Sequence, residues 1–437
     1  MKKVLYGTTA LVAAGLISSA ATAQTGNAID LSVGGKFEGF VGVAGNQDYN
    51  AGANAGNRAD RSGTIIDEDA ELYFDGETTL DNGLTVGVAM DLAVSDDEGV
   101  ACNASAGMPQ PTGRQTVTQG TCNQDEAYAY VSGGFGEVQA GTVQAVTGNF
   151  AVAPYSQTAG YGEGHDKMYV TPPTQRLGSN VNGNNMIPAA NISNNGLNNG
   201  FYASSIYTNT SDDATVSYMT PSLAGFQVGL SYSPQPGAGK GAATDQNASN
   251  HDRLDFAATY SGSMSGVDLA ADIGYTTTSR SNNASTTTAN GNTYNTSDDP
   301  TVWQGGLSVG YANFTLAGRY LDRDFENTGQ WRNDGNTWIV GGTYAMGPYE
   351  VGLNYIEGTA EGMNPRTVQG AQAWDQDEDE LTEWELRGAY TLGPGVTMQA
   401  SAFHVDYEGE LSNNGGNVGQ NDDGDGAGLV GGLVLGF

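Results

Sequence analysis

The chain has 437 residues, a formal net charge of −33, 65 glycines and only 15% charged residues. Nucleic acid is excluded as a partner, because phosphate binding needs clustered Lys and Arg. So acidic a chain favours cations and cationic solutes.

Residues 1–23 read as a secretory signal peptide. Lys2 and Lys3 open it, Leu11 to Ile17 lie in an apolar stretch, and Ala21-Thr22-Ala23 is a small-residue cleavage signal. Its removal takes away two Lys and no acid, leaving −33 − 2 = −35 for residues 24–437. No later segment approaches the roughly 20 apolar residues of a membrane-spanning helix. Cys102 and Cys122 lie in one polar stretch and fit no redox or zinc spacing. An even pair in an exported chain reads as a disulfide, with a free reactive pair as the alternative. Closing that loop contributes about 3 kcal/mol.

From Ile29 the apolar residues Ile29, Leu31, Val33, Phe37, Val41 and Val43 alternate with Asp30, Ser32, Lys36 and Glu38. This predicts a strand with one apolar and one polar face. Ala70, Leu72 and Phe74 alternate with Asp69, Glu71, Tyr73 and Asp75, "DNG" at 81–83 turns the chain, and 84–92 returns. Strand pairs follow at 126–132 with 137–145, 214–219 with 225–233, and 252–261 with 267–278. Three more, 302–312 with 314–324, 336–345 with 349–357 and 381–391 with 396–407, lead to a last strand at 428–437. The total is sixteen. Short connections such as "SGGFGE" and "AMGP" alternate with long polar ones at 95–124, 146–213, 279–300 and 408–427.

A soluble β-sandwich would have to bury one face of each strand, and the polar faces here are too heavily charged for a packed core. A transmembrane β-barrel turns the apolar face to lipid, the polar face to a water-filled lumen, and has short turns on one side only. The sequence is therefore expected to form an all-β, sixteen-stranded antiparallel barrel over 24–437. Its C-terminal strand closes the ring, with Leu429, Leu433, Leu435 and Phe437 on one face.

Three stretches carry a family resemblance: "AELYFDGETTLDNGLTVGVAMDL" (70–92), "AYAYVSGGFGEVQAGTV" (127–143) and "ATVSYMTPSLAGFQVGLSYSP" (214–234). In this order and spacing they resemble the general porins of Gram-negative outer membranes. The terminal Phe437, with Leu433 and Leu435, resembles the signal read by that family's barrel-assembly machinery. The resemblance implies an outer-membrane homotrimer with short periplasmic turns and long extracellular loops, passing small hydrophilic solutes and ions by diffusion. It also implies that the third long loop, 146–213, folds inward as a constriction. Acidic residues of that loop would face a ladder of basic residues on the wall.

Candidates for that constriction are Glu163, Asp166, Lys167 and Arg176 in the loop, beside His165. Lys36 matches the first rung of the ladder. Glu71 stands where the family has Arg, and Asp125 and Glu126 stand where another Arg is usual. Arg253, Arg319, Arg323 and Arg387 fall on polar faces by parity. With Asp67, Asp69, Glu71, Asp75 and Glu77 on one strand, a cation preference is expected.

Two acidic runs raise the question of Ca²⁺: Asp375, Asp377 and Asp379 in "DQDEDE", and Asp422, Asp423 and Asp425 in "NDDGDG". Hard cations take several oxygens, and bridging to anionic lipopolysaccharide is a related use, but solvated loops explain the runs equally well. No other cofactor is expected. Catalysis is not expected either, since His404 lies beside Ala400 and Ala402 with no serine partner. Trp303, Trp338, Tyr232, Tyr260, Tyr311, Tyr344, Tyr355 and Tyr390 sit on apolar faces near strand ends, as an aromatic girdle or as packing between copies. Two rival readings are a substrate-specific porin and a closed structural or adhesion barrel.

Overall fold

The structure, a computed structural model, describes residues 29–44, 48–49, 64–95, 124–152, 213–236, 250–280, 287–289, 292–294, 299–324, 335–361, 378–408 and 424–437. The signal peptide and both cysteines lie outside the described residues.

Sixteen strands form the wall. They are β1 Asp30–Ala44, β2 Thr64–Thr79, β3 Thr85–Ser95, β4 Gln124–Gly133, β5 Gly136–Thr142, β6 Ala214–Met219, β7 Phe226–Ser233 and β8 Asn250–Met264. Then come β9 Val267–Arg280, β10 Thr301–Tyr311, β11 Phe314–Asp324, β12 Gly335–Met346, β13 Tyr349–Glu361, β14 Glu378–Gly393, β15 Val396–Glu408 and β16 Gly424–Gly436. Each pairs antiparallel with its sequence neighbours, and β16 pairs antiparallel with β1. The sheet therefore closes on itself. Closure leaves no strand edge facing lipid along the paired length, which satisfies the backbone where water is absent. A two-residue strand at Asp48–Tyr49 pairs antiparallel with the start of β16, and a small hairpin pairs Thr287–Ala289 with Asn292–Tyr294.

The seam is made by the last residue. The Gly35 N–H donates to the Phe437 carbonyl at 2.8 Å, and the Phe437 N–H donates back at 3.0 Å.

All short turns lie at one end. At Ser265-Gly266 both residues have positive φ, 55° and 82°, the geometry whose twist suits a two-residue hairpin. At the same end Ala312 and Gly347 open two further tight turns with positive φ.

Side-chain parity is as the alternation predicts. Leu31, Val41, Ile66, Leu230, Phe256, Leu307, Leu316, Leu353, Leu386 and Leu429 are exposed on the outer face. Aromatic pairs bridge neighbouring strands there in two rows. Near the short turns stand Phe226 with Tyr260, Phe314 with Tyr344, and Tyr349 with Tyr390. Toward the long connections stand Tyr275 with Trp303, Tyr320 with Trp338, and Tyr355 with Trp384. Six to eight residues along a strand separate the rows (Tyr390 from Trp384, Tyr311 from Trp303), which is roughly 20–27 Å of strand. That matches the height of an apolar band bordered by aromatic girdles.

Candidate pore lining

The inner surface divides into two unlike walls. On β1 to β5 most inward charged side chains are acidic and at least partly open to solvent, with tyrosines among them. Glu38, Asp69, Glu71, Asp75 and Glu77 come from β1 and β2, and Asp91, Glu126 and Glu137 from β3 to β5. Lys36 is the one basic inward side chain of these strands among the described residues. Its ammonium lies 2.9 Å from Asp69 and 3.5 Å from Glu71. The Tyr73 hydroxyl donates to Glu71 as well.

On β7 to β14 most inward charges are buried and several stand beside an opposite charge. The Arg253 guanidinium donates to Asp255 from Nε at 3.0 Å and from Nη2 at 2.9 Å. Arg319 stands 3.5 Å from Asp272, and Arg387 pairs with Glu385 two residues away. Arg323 donates to the Thr359 carbonyl at 2.8 Å. Arg319, Arg323 and Arg387 are no more than 3% exposed. Such pairs fix geometry and present little net field to passing ions.

Along this second wall runs the chain that follows β5. Gly141 has φ 148°, and the backbone leaves the sheet after Thr142 to form one helical turn, α1 Val146–Asn149. The Val146 N–H donates to the Ser231 hydroxyl at 2.9 Å. Thr147 donates to Asp255 at 3.0 Å and accepts from the Gln304 amide at its carbonyl, 2.6 Å away. The Val152 N–H donates to Asp272 at 2.7 Å. These anchors come from β7, β8, β9 and β10 in turn, so residues 146–152 travel around the inside of the barrel. Val146 and Phe150 pack on Ala257. At Gly306 an added Cβ would meet the Val152 carbonyl oxygen at 2.2 Å, so only glycine lets the segment lie this close.

The sequence expectations fall out unevenly. Lys36 and Glu71 are brought together on the open wall. Arg319, Arg323 and Arg387 point inward but lie buried on the other wall, and Arg319 meets the start of the long connection through the Val152 carbonyl at 3.5 Å. Glu163, His165, Asp166, Lys167 and Arg176 lie outside the described residues, as do Asp375, Asp377, Asp422 and Asp423. Asp379 pairs with Ala360 and Asp425 with Asp406 through the backbone. Among the described residues no group of His, Cys, Asp and Glu is arranged to hold a metal ion.

Two features were missed by parity alone. Tyr128 and Tyr130 line the acidic wall, because β4 carries alanine on its outer face and tyrosine on its inner one. The second is a buried apolar patch facing inward, with Leu321, Ile339, Ile356, Phe403 and Val405. Ile339 and Ile356 are direct partners across β12 and β13. The inner face is thus mainly polar on β1 to β5, where Phe40 is the buried exception, and carries an apolar patch on β11 to β15.

A family model described as Gram-negative porin matches residues 7–410. Among solved structures, a loop-deletion mutant of OmpT, an outer membrane protein of Vibrio cholerae, is similar at 12% identity with a TM-score of 0.52, over 94% of this chain and 100% of its own. An anion-selective porin from Comamonas acidovorans is similar at 15% identity with a TM-score of 0.50, over 94% of this chain and 100% of its own. At such identities the likeness is one of fold. No curated protein matches the sequence.

Proposed function

The chain belongs to the Gram-negative porin family, whose members are outer-membrane channels, and on that premise we propose that it is a passive diffusion pore preferring cations. One observation carries the selectivity: eight carboxylates on β1 to β5 face the lumen with partial solvent access, against the single ammonium of Lys36. Charges at a narrowing act over a Debye length of about 8 Å in physiological salt. Carboxylates buried in ion pairs on β7 to β14 add little. Ions and small hydrophilic solutes cross by size and charge, and no bond is made or broken. This selectivity is opposite in sign to that named for the Comamonas porin.

Residues 1–23 are the signal peptide of this reading, and Cys102 with Cys122 a disulfide. Loop 146–213 is its constriction. Its candidate charges are Glu163, Asp166, Lys167 and Arg176 of the loop, with Lys36, Glu71, Arg319, Arg323 and Arg387 as candidates on the wall. The barrel works as a homotrimer. In support of that, the aromatic pairs of the outer face among the described residues lie on β7 to β14, while β15, β16 and β1 to β3 present mainly aliphatic side chains such as Val41, Val88 and Leu433. The assembly machinery reads Leu433, Leu435 and Phe437, and lipopolysaccharide surrounds the outer rim, with Ca²⁺ at the acidic loops.

The test is the zero-current potential of the purified protein in a planar bilayer under a tenfold KCl gradient. A cation-selective sign is expected. An anion-selective sign overturns the selectivity, and a folded protein without conductance overturns the channel.

A further inference from the structure

The acidic wall is also a tyrosine wall, and the two are interleaved. In register, Glu77 of β2 stands beside Gly87 of β3, which stands beside Tyr130 of β4. One row farther from the short turn, Asp75, Ala89 and Tyr128 repeat the order. Neighbouring strands lie about 4.8 Å apart, so each carboxylate strand is about 10 Å from its tyrosine strand, with the smallest side chains between them.

The Tyr130 ring fills this gap at Gly87. A Cβ there would lie 2.3 Å from the ring, and the hydroxyl reaches on to donate to Glu77 at 2.8 Å. The ring therefore lies across β3 over Gly87. Tyr128 stands beside it with the ring centroids 6.4 Å apart and the planes tilted by 51°. A cation beside the pair is within reach of both rings, since ring attraction extends to about 6 Å from a centroid.

On the far side of Tyr130, Gln139 lies directly across the ladder, and its amide nitrogen donates to Glu137 at 2.7 Å, which holds a further carboxylate on the next strand.

We propose that Tyr128 and Tyr130, with Asp75 and Glu77, form a retention site for organic ammonium ions in the lumen. The site rests on the cation-preferring channel reading and deepens it. Carboxylates alone attract K⁺ and organic cations alike by charge. Aromatic faces favour the poorly hydrated ammonium groups that shed water readily. The tyrosines thus determine which cations linger, and the acids that cations enter.

Single-channel K⁺ current is measured with tetramethylammonium chloride added to one side. The native protein is expected to show concentration-dependent reduction of the current. Tyr128→Leu and Tyr130→Leu are each expected to raise the half-reducing concentration about three- to fivefold, with the K⁺-to-Cl⁻ permeability ratio of each variant measured alongside. Tyr130→Phe, which keeps the ring and loses the bond to Glu77, stays near the native value. Should Tyr130→Leu fail to assemble, Tyr128→Leu carries the test. Reduction by the same concentration in the Leu variants overturns the site and leaves cation preference standing. A native channel with no preference for K⁺ over Cl⁻ overturns the underlying reading, and that failure is visible before any tetramethylammonium is added.

Discussion

Lys36 stands opposite Glu71 in the β1–β2 ladder, its ammonium 3.5 Å from that carboxylate and 2.9 Å from Asp69. It is the single local counterweight to a wall of acids. Lys36→Met is therefore expected to increase cation preference, and Glu71→Gln to decrease it. A unit charge about 5 Å from a passing ion in water-like surroundings, partly screened, changes the permeability ratio roughly twofold. Reversal potentials of the two variants in the same KCl gradient check the signs.

Ionic strength gives an independent check. The screening length falls from about 10 Å at 0.1 M to about 3 Å at 1 M. Cation preference is expected to weaken steadily over that range at a fixed concentration ratio. A preference independent of salt would mean that ions are sorted by direct coordination instead.

Much of this wall was legible beforehand, for a definite reason. The period of two assigns a face to every residue, so Lys36, Glu71 and Asp75 were placed inward from their neighbours alone. Parity is silent about register. That Lys36 meets Glu71, or that Gly87 lies under Tyr130, depends on how far one strand slides along the next, and no residue in either strand states it. Tyr128 and Tyr130 were passed over because tyrosine on a barrel strand suits lipid and lumen equally. Parity puts Ile339 and Ile356 on the inner face, but an apolar pair there runs against the polar-in rule that the alternation suggests.

Asp272 holds two partners at once, the Val152 N–H at 2.7 Å and Arg319 at 3.5 Å. Asp272→Ala leaves a buried guanidinium without its carboxylate and frees the segment at its far end. A loss of about 3 kcal/mol is expected, read from the urea midpoint of the folded barrel. Asp272→Asn, which still offers an oxygen to Val152, loses less. The alanine variant is also expected to show noisier open-channel current.

Deleting Phe437 removes both hydrogen bonds across the seam to Gly35. The folded fraction recovered from refolding is expected to fall severalfold, while Phe437→Tyr behaves as the native chain. Heat-modifiable migration on a gel separates folded from unfolded barrel.

Trp303 and Tyr275 pack on the outer face with centroids 4.5 Å apart and their planes tilted by 46°. Trp303→Ala is expected to cost about 1 kcal/mol beyond the lost apolar area, and Trp303→Phe to recover most of it. Unfolding in lipid bilayers, where the girdle meets its interface, is the appropriate measurement.

Every neighbouring pair of strands in the wall is adjacent in sequence, except β1 with β16. Both ends of the described chain lie at the short-turn end, with Asp30 five residues before Gly35, where Phe437 meets β1. A linker of about six to eight residues is long enough to join them. The gene's start and stop codons are then movable punctuation: cutting at Ser265-Gly266 and joining the old ends would give a permuted chain with the same cylinder, read from a different page.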